Sequence, residues 1–239
     1  MQLLKEDLVV LRLIPNDGMP KYTTGQFLTI GLPIPSEQKI VRRAYSIASH
    51  PENRKYVELV IRWVRKPLPG RLTTQLFNAK EGDEILWLKP TGRALLINDV
   101  LPNGEKDNRR IICIGGGTGL VPMMRLLTFV KPDDDVTVLI GAKSKNEVFF
   151  EDLTNNLLKN NPHRVIVTTD DGTYGEKGFV TSMVEKLVNE NRFDGVYTCG
   201  PEIMMYKTVQ LAHSKGLFVQ ASLERMMKCG VGICGSCCV

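Results

Sequence analysis

Three cysteines near the end of the chain have a spacing that suits a metal cluster. Cys229, Cys234 and Cys237 are spaced C-x4-C-x2-C, with glycines between them. Two irons and two sulfides need several thiolates on one tight loop, and glycine lets the backbone curl close to the sulfides. This is the spacing of the plant-type [2Fe-2S] ligand loop, so the three cysteines are predicted to bind a [2Fe-2S] cluster.

The fourth ligand of this loop is not evident, and zinc is the alternative metal. Side chains of adjacent cysteines normally diverge, so Cys238, directly after Cys237, is a poor fourth ligand. We expect the natural chain to continue past Val239 with another cysteine, or a partner to supply one. Zinc sites usually combine two separated C-x2-C pairs, and no histidine lies near this loop.

Length and composition indicate an ordinary globular protein. The 239 residues suffice for two domains of about 100 residues each. The formal net charge of +5 is scattered among acids rather than gathered in a stripe, which argues against nucleic-acid binding. The sequence has no apolar run long enough for membrane insertion and no signal-peptide pattern at its start. Clustered cysteines fit metal binding in a reducing compartment, so we expect a cytoplasmic protein.

The first half of the sequence consists of short strand-like runs broken by glycine and proline. Short strands at this spacing are typical of a small antiparallel barrel. The runs with alternating or β-branched residues are 8–13, 26–31, 42–47, 56–64 and 84–88.

One of these strands carries residues that suit a flavin nucleotide. Arg43, Tyr45 and Ser46 would supply a phosphate clamp, a stacking face and a hydrogen-bond donor at one edge of the barrel. On spacing alone, a half-exposed edge strand is the better explanation.

A glycine turn further on has the features of an anion site. Gly70 opens an amphipathic helix with Thr73 and Thr74 in its first turn. Free backbone N–H groups and the helix dipole favour an anion at such a point. A capped surface helix explains the pattern equally well.

The hydrophobic periodicity of the sequence changes after the polar linker 102–108. Strand-like runs then alternate with helical ones, which predicts a parallel sheet with helices on its faces. The helical runs are 122–130, 147–160, 179–191 and 202–215. We therefore predict a β-barrel domain over 1–101, an α/β domain over 109–221 and a cluster-binding segment over 222–239.

A glycine-rich turn follows the first strand of this half and opens a helix, where a pyrophosphate would meet helix N–H groups. Its sequence over 115–120 is G-G-G-T-G-L. It does not match G-x-G-x-x-G, because Leu120 takes the third glycine's place, and no acid ends the second strand. A purely structural turn is the alternative.

Cys199 lies at the end of a later strand. By itself it would be a small buried apolar residue.

Taken in order, these motifs resemble the ferredoxin–NADP reductase superfamily over nearly the whole chain. In the first half the resemblance rests on R-x-Y-S at 43–46, G-x-L-T-T at 70–74 and K-P-T-G at 89–92. In the second half it rests on G-G-G-T-G-x-x-P at 115–122 and C-G-P-x-x-M at 199–204.

The C-terminal pattern indicates which members of the superfamily the chain resembles most. S-L-E-R-x-M-x-C-G-x-G-x-C-x-x-C at 222–237 resembles the electron-transfer subunits of dihydroorotate dehydrogenase and the related reductase subunits of anaerobic sulfite reductase and archaeal hydrogenases. With flavin and nicotinamide motifs upstream, an electron-carrying cluster is favoured over zinc.

For the first half, the resemblance implies an FAD site. Arg43 would bind the FAD pyrophosphate, Tyr45 would pack on the isoalloxazine ring, and Ser46 would hydrogen-bond near flavin N5. The residues expected around the pyrophosphate are Gly70, Thr73 and Thr74. The superfamily also implies a strand before residue 8, but only seven residues precede it, so we expect a barrel that is one strand short.

For the second half, the resemblance implies an NAD(P)H site. Cys199 would lie beside the nicotinamide, where hydride passes to flavin N5 near Ser46. Glu224 matches a glutamate that lies by the flavin and relays a proton, although a carboxylate there also has local reasons to occur. The residues expected to bind the dinucleotide are Gly115, Gly116, Gly117, Thr118, Gly119, Pro122, Gly200 and Pro201.

The choice of nicotinamide depends on the end of the third strand of this half. Superfamily members that use NADP bind its 2′-phosphate there with Ser, Arg and Lys. Here Asp170 and Asp171 would repel a phosphate and suit ribose hydroxyls, which favours NADH, with Asp170 as a cofactor ligand. Lysines within reach of a phosphate keep NADPH open: Lys143, Lys145 and Lys177.

These expectations describe an FAD-dependent NAD(P)H oxidoreductase. It would pass electrons between nicotinamide, flavin and a [2Fe-2S] cluster, to or from a partner subunit or ferredoxin. A stand-alone ferredoxin–NADP reductase without its own cluster is the nearest alternative. A non-catalytic adaptor that binds flavin or zinc is an alternative of another class.

Overall fold

The computed structural model describes residues 2–34, 38–63, 71–97, 108–223, 227 and 233–237. Two compact units divide the chain, one including Met1–Ala94 and the other Leu95–Glu224. The second unit begins ahead of the linker predicted at 102–108, because Leu95 and Ile97 are buried in its core. Residues 102–107 of that linker lie outside the described residues.

The first unit contains two antiparallel sheets and a helix. One sheet has the order β1-β2-β5 and the other the order β4-β3-β6. The antiparallel fold predicted for this half is confirmed. The strands are β1 (Gln2–Lys5), β2 (Leu8–Leu13), β3 (Phe27–Ile34), β4 (Lys39–Ser46), β5 (Val57–Arg62) and β6 (Leu86–Thr91), and the helix is α1 (Arg71–Asn78).

The expectation that no strand precedes residue 8 is wrong. β1 pairs antiparallel with β2, with Gln2 opposite Val10 and Leu3 opposite Val9. A turn at Glu6 and Asp7 reverses the chain at once. Seven residues are therefore enough for a short strand and its turn.

Buried and partly exposed side chains alternate along the strands, and the buried ones form the core of this unit. In β5 the side chains of Val57, Leu59 and Ile61 are buried, while the residues between them are partly exposed. Leu72 and Leu76 lie four residues apart in α1 and are buried in the same cluster. This i, i+4 stripe is the apolar face predicted for an amphipathic helix, and it places α1 against the sheet.

The second unit is a six-stranded parallel sheet with the order β10-β9-β8-β7-β11-β12. Its apolar faces are covered by helices, and the predicted α/β class is confirmed. The strands are β7 (Arg110–Gly116), β8 (Asp135–Ala142), β9 (His163–Thr169), β10 (Glu176–Lys177), β11 (Gly195–Cys199) and β12 (Phe218–Ala221). The helices are α2 (Leu120–Leu126), α3 (Glu151–Leu157), α4 (Val180–Glu190) and α5 (Glu202–Ser214).

The helix predicted over 147–160 is wrong in its extent. A 3-10 turn at Lys145–Glu147 is followed by α3, which begins only at Glu151. Phe150 between them has φ +67°, in the left-handed region. Val148 and Phe149 are buried, so their packing into the core interrupts the helical periodicity.

A buried ion pair fixes the amino-terminal edge of the parallel sheet. Arg109 and Asp134 are almost fully buried, and Arg109 Nε donates to Asp134 Oδ1 at 2.9 Å. Arg109 Nη1 also donates to the carbonyl of Ile97 at 3.0 Å, and Lys131 N donates to Asp134 Oδ2 at 2.7 Å. The hydrogen bond to Asp134 raises the pKa of Arg109. The pair ties the segment before β7 to the turn before β8.

Asp134→Asn should lower the free energy of unfolding by about 3–5 kcal/mol, because it leaves the Arg109 charge buried without its counter-charge. Asp135→Asn is the matched control: its carboxylate is half-exposed and lies 3.8 Å from Arg110 Nε, so its loss should stay below about 1 kcal/mol. Urea unfolding followed by circular dichroism measures both. An equal decrease in the free energy of unfolding for the two variants would contradict a stabilising role of the buried ion pair.

Candidate functional site

The carboxyl ends of β7 and β11 lie side by side and bring two predicted motifs together. The two strands pair in parallel, with Cys199 opposite Gly115. From β7 the sheet continues through β8 to one edge, and from β11 through β12 to the other. Where strand order reverses in this way, a crevice forms at the carboxyl ends, and ligands bind there. The glycine turn and Cys199 thus share the place expected for a ligand.

These two loops require glycine because their backbones touch. A Cβ built on Gly116 would lie 2.6 Å from Pro201 Cδ, and one on Gly119 would lie 2.5 Å from the carbonyl oxygen of Cys199. A Cβ on Gly200, whose φ is +151°, would lie 2.9 Å from the nitrogen of Gly116. Such distances leave no room for a side chain. The glycines therefore hold the two motifs in contact, which is the structural role left open from the sequence.

Gly117 differs from its neighbours because it faces open space. Its φ is +58°, and no described atom lies within 4 Å of a Cβ built on it. Thr118 beside it is half-buried, whereas Pro122 is buried in α2. A Cβ on Gly115 would overlap the side chain of Leu120. Gly117 and Thr118 are thus accessible to a ligand, and the other positions support them from the core.

Cys199 is fully buried at the end of β11. It belongs to an apolar cluster that includes Leu120 and Met123 of α2. Burial at a strand end fits a small apolar residue as well as a thiol placed beside a bound ring. Its catalytic role therefore stays a prediction.

Hydrogen bonds distinguish the two adjacent carboxylates after β9. Asp171 Oδ1 accepts from Thr173 N at 2.9 Å and from Thr173 Oγ1 at 2.7 Å. These bonds lower the pKa of Asp171. Asp170 is exposed, and its backbone N–H donates to the carbonyl of Ala142 at 3.0 Å. Within the described part of the chain its carboxylate has no hydrogen-bond or ion-pair partner. Asp170 is therefore the carboxylate available to a ligand.

The lysines near these carboxylates are partly engaged with the same loop. The ammonium of Lys145 lies 5.5 Å from the centre of the Tyr174 ring, and Lys145 N donates to Thr173 Oγ1 at 2.9 Å. Tyr174 OH donates to Glu151 Oε2 at 3.0 Å. The stem of Lys177 lies over Gly172. These contacts join the loop after β9 to the start of α3.

In the first unit, β4 carries the predicted flavin-binding side chains at a sheet edge. Arg43 is exposed, and its Nη1 donates to the carbonyl of Arg42 at 2.7 Å. Tyr45, two residues on and therefore on the same face, is half-buried. Burial raises the pKa of Tyr45 to about 12, and nearby Arg43 opposes this. Ser46 ends the strand opposite Phe27. A cation and a neutral phenol ring thus stand on one face of β4, and their roles towards a flavin stay predictions.

Helix α1 places the predicted threonines near this strand, since it contacts β3, β4 and β5. Thr73 is buried and Thr74 half-buried. Trp63 Nε1 donates to Thr74 Oγ1 at 3.0 Å. Sequence reasoning missed Trp63, because it lies in a run with the periodicity of a strand. Gly70 lies outside the described residues.

The cluster loop is described only in part. Cys234 is exposed and Cys237 half-buried, and neither forms a disulfide within the described residues. Cys229 and Glu224 lie outside the described residues. The ligand set and the proton-relay role therefore stay predictions.

Two family models match the chain in tandem. An oxidoreductase FAD-binding domain matches residues 5–95, and an oxidoreductase NAD-binding domain matches residues 113–210. The first match coincides with the antiparallel unit. The second begins within β7, runs through β11 into α5 and includes both loops at the ends of β7 and β11, whereas β12 lies beyond it.

Similarity to a Pyrococcus horikoshii protein decides the family. That protein is a probable dihydroorotate dehydrogenase B (NAD(+)) electron transfer subunit, 34% identical over 218 residues, which are 90% of this chain and 73% of the relative. The chain belongs to the family of dihydroorotate dehydrogenase B electron transfer subunits. A Methanocaldococcus jannaschii member with the same name is 38% identical over 171 residues, 71% of this chain. The match spans 61% of that relative's length.

A solved structure confirms the wider superfamily. An NADH-dependent reduced ferredoxin–NADP oxidoreductase, studied for flavin-based electron bifurcation, has a TM-score of 0.76 and 27% identity over 98% of this chain and 78% of its own. The resemblance stated from the motifs is therefore confirmed. None of the described helices has the length and apolar character needed to cross a membrane.

Alanine substitutions should separate packing from ligand approach in the glycine loop of this family member. Gly119→Ala forces the two backbones apart, so we expect it to lower the free energy of unfolding by about 1–3 kcal/mol. Gly117→Ala should lower the free energy of unfolding by about 1–2 kcal/mol, because residue 117 has a left-handed φ. The added methyl group fills the open space beside residue 117, so NADH binding should weaken roughly tenfold. Thermal unfolding and NADH titration measure the two effects. Unchanged NADH affinity in Gly117→Ala would contradict ligand approach at this position.

Proposed function

We propose that this electron transfer subunit is an FAD-dependent NADH oxidoreductase that passes electrons through a [2Fe-2S] cluster to or from a partner. The observation that carries the proposal is the meeting of the glycine loop and Cys199 at the carboxyl ends of β7 and β11. It combines an open glycine loop with a buried cysteine inside the region matched as an NAD-binding domain. The matched FAD-binding domain precedes it in the chain.

The roles of individual residues follow from this proposal. Arg43 binds the FAD pyrophosphate, Tyr45 supports the flavin ring as a neutral phenol, and Ser46 hydrogen-bonds near N5. Gly117 and Thr118 receive the nicotinamide dinucleotide, and Cys199 borders the nicotinamide. The flavin supplies the conversion between two-electron and one-electron transfer.

A partner is part of the proposal. The relatives are named electron transfer subunits of dihydroorotate dehydrogenase B, and a subunit of that kind delivers electrons to another protein. A stand-alone ferredoxin–NADP reductase is the second candidate, favoured by the likeness in fold to a ferredoxin–NADP oxidoreductase. We place the protein in the cytoplasm, because cysteines clustered at this spacing fit metal binding in a reducing compartment.

An anaerobic absorption spectrum tests the flavin and nicotinamide parts together. We expect a flavin spectrum in the purified protein and bleaching when NADH is added. A protein with no flavin spectrum and no bleaching with either NADH or NADPH would rule out both enzyme proposals.

Iron analysis then separates the two enzyme proposals. Two irons per flavin, with an electron paramagnetic resonance signal after reduction, would support the cluster. Active protein without iron would favour the stand-alone reductase. Cys234→Ser and Cys237→Ser should lose the signal while keeping flavin reduction by NADH, because both cysteines lie outside the crevice loops.

Asp170→Ser should shift the preference from NADH towards NADPH, because it removes the available carboxylate that suits ribose hydroxyls and repels a 2′-phosphate. We expect the ratio of kcat/KM for NADH over NADPH to fall roughly tenfold, as for the loss of one charged hydrogen-bond partner. Glu176→Gln, which neutralises an exposed carboxylate in the neighbouring strand β10, should leave the ratio within about twofold. An equal shift in both variants would indicate only a change in net charge.

A further inference from the structure

The indole of Trp63 is fixed against α1. Trp63 directly follows β5, and its backbone N–H donates to the carbonyl of Asp7 at 2.7 Å. Its ring lies 5.1 Å from the ring of Phe77, at an interplanar angle of 30°. From this position Nε1 donates to Thr74 Oγ1 at 3.0 Å. Backbone and ring contacts therefore hold the indole N–H at the threonine hydroxyl.

This hydrogen bond restricts what the Thr74 hydroxyl can do. An indole N–H is a donor only, whereas a hydroxyl has one donor and two acceptor lone pairs. Because Trp63 donates to the oxygen, the O–H of Thr74 remains available as a donor. Over the described ranges, Thr74 Oγ1 makes no second hydrogen bond. Among the described residues, this half-buried hydroxyl therefore has a hydrogen left to donate.

Other helical threonines of this chain behave differently. Thr154 donates to the carbonyl of Phe150 at 2.7 Å, and Thr208 donates to the carbonyl of Met204 at 2.9 Å. This bond to the preceding turn is the usual local choice of a threonine in a helix. Within the described residues Thr74 makes no such donation, and its side-chain hydrogen bond there is the one it accepts from Trp63.

We propose that Trp63 is a positioning residue for the flavin pyrophosphate. It holds the Thr74 hydroxyl so that this group donates to a phosphate oxygen, which can only accept. The proposal rests on the proposed flavin-binding function of this unit. It assigns a role to a tryptophan that lies outside every motif of the sequence.

The test compares FAD with riboflavin, which has the flavin ring but no phosphate. Bound flavin is removed from the purified full chain, and dissociation constants for both compounds are measured by flavin fluorescence. Trp63→Phe keeps an aromatic ring beside Phe77 but loses the N–H. We expect it to weaken FAD binding roughly threefold to tenfold and to leave riboflavin binding within about twofold.

A double-mutant cycle shows whether Trp63 acts through Thr74. Thr74→Val should weaken FAD binding roughly tenfold, because it removes a hydrogen bond to a charged group. Trp63→Phe combined with Thr74→Val should be no weaker than Thr74→Val alone, to within about twofold. Thr74→Ser should bind FAD like the wild type. Phe77→Leu, which removes the ring contact but keeps the N–H, should leave the ratio of FAD to riboflavin affinity unchanged.

Two results would overturn the role of Trp63. One is an equal weakening of FAD and riboflavin by Trp63→Phe, which would indicate packing alone. The other is a double variant in which the two effects multiply, which would mean that Trp63 does not act through Thr74. Wild-type protein that binds neither compound would instead refute the proposed function itself. Unfolding of the flavin-free variants, followed by circular dichroism, identifies any that fail to fold.

Discussion

The close approach of two backbones at the carboxyl ends of β7 and β11 is the constraint on which the nucleotide-binding unit depends. Gly116 and Gly119 have no space for a Cβ against Pro201 and Cys199. Parallel pairing of the two strands sets this approach, because it places Cys199 opposite Gly115. Packing thus explains why most positions of the motif are glycine. Gly117, at the centre of the motif, faces open space and can contact a ligand.

The opposite edge of the same sheet is held by charge rather than by close packing. The buried pair of Arg109 and Asp134 joins the segment before β7 to the turn before β8, and a further bond reaches Ile97. A buried pair stabilises only while both partners are present. The amino-terminal edge therefore carries the anchoring ion pair, and the carboxyl-terminal edge carries the glycine turn and Cys199. Because the ion pair and the two loops lie at opposite edges, the glycine loop can leave its backbone exposed while the ion pair still holds the sheet together.

Much of this arrangement could be predicted from the sequence. The sequence placed the glycine turn and Cys199 at the ends of two strands of a predicted parallel sheet, and the structure brings these two strand ends together. Where the sequence misled, packing decided one outcome and a tight turn decided the other. Burial of Val148 and Phe149 broke a helix that the periodicity extended, and an immediate turn at Glu6 made room for a strand where seven residues had looked too few.

Which polar groups are left available to a ligand is harder to predict, because short local hydrogen bonds decide it. Asp170 and Asp171 are identical in the sequence pattern, yet Thr173 occupies one carboxylate and leaves the other available. In the first unit, Trp63 occupies an acceptor of Thr74 and leaves its donor available. Neither partner belongs to a motif, and each becomes visible only in three dimensions. In both units a residue outside the motifs therefore determines which hydrogen-bonding group of the motif a cofactor can meet.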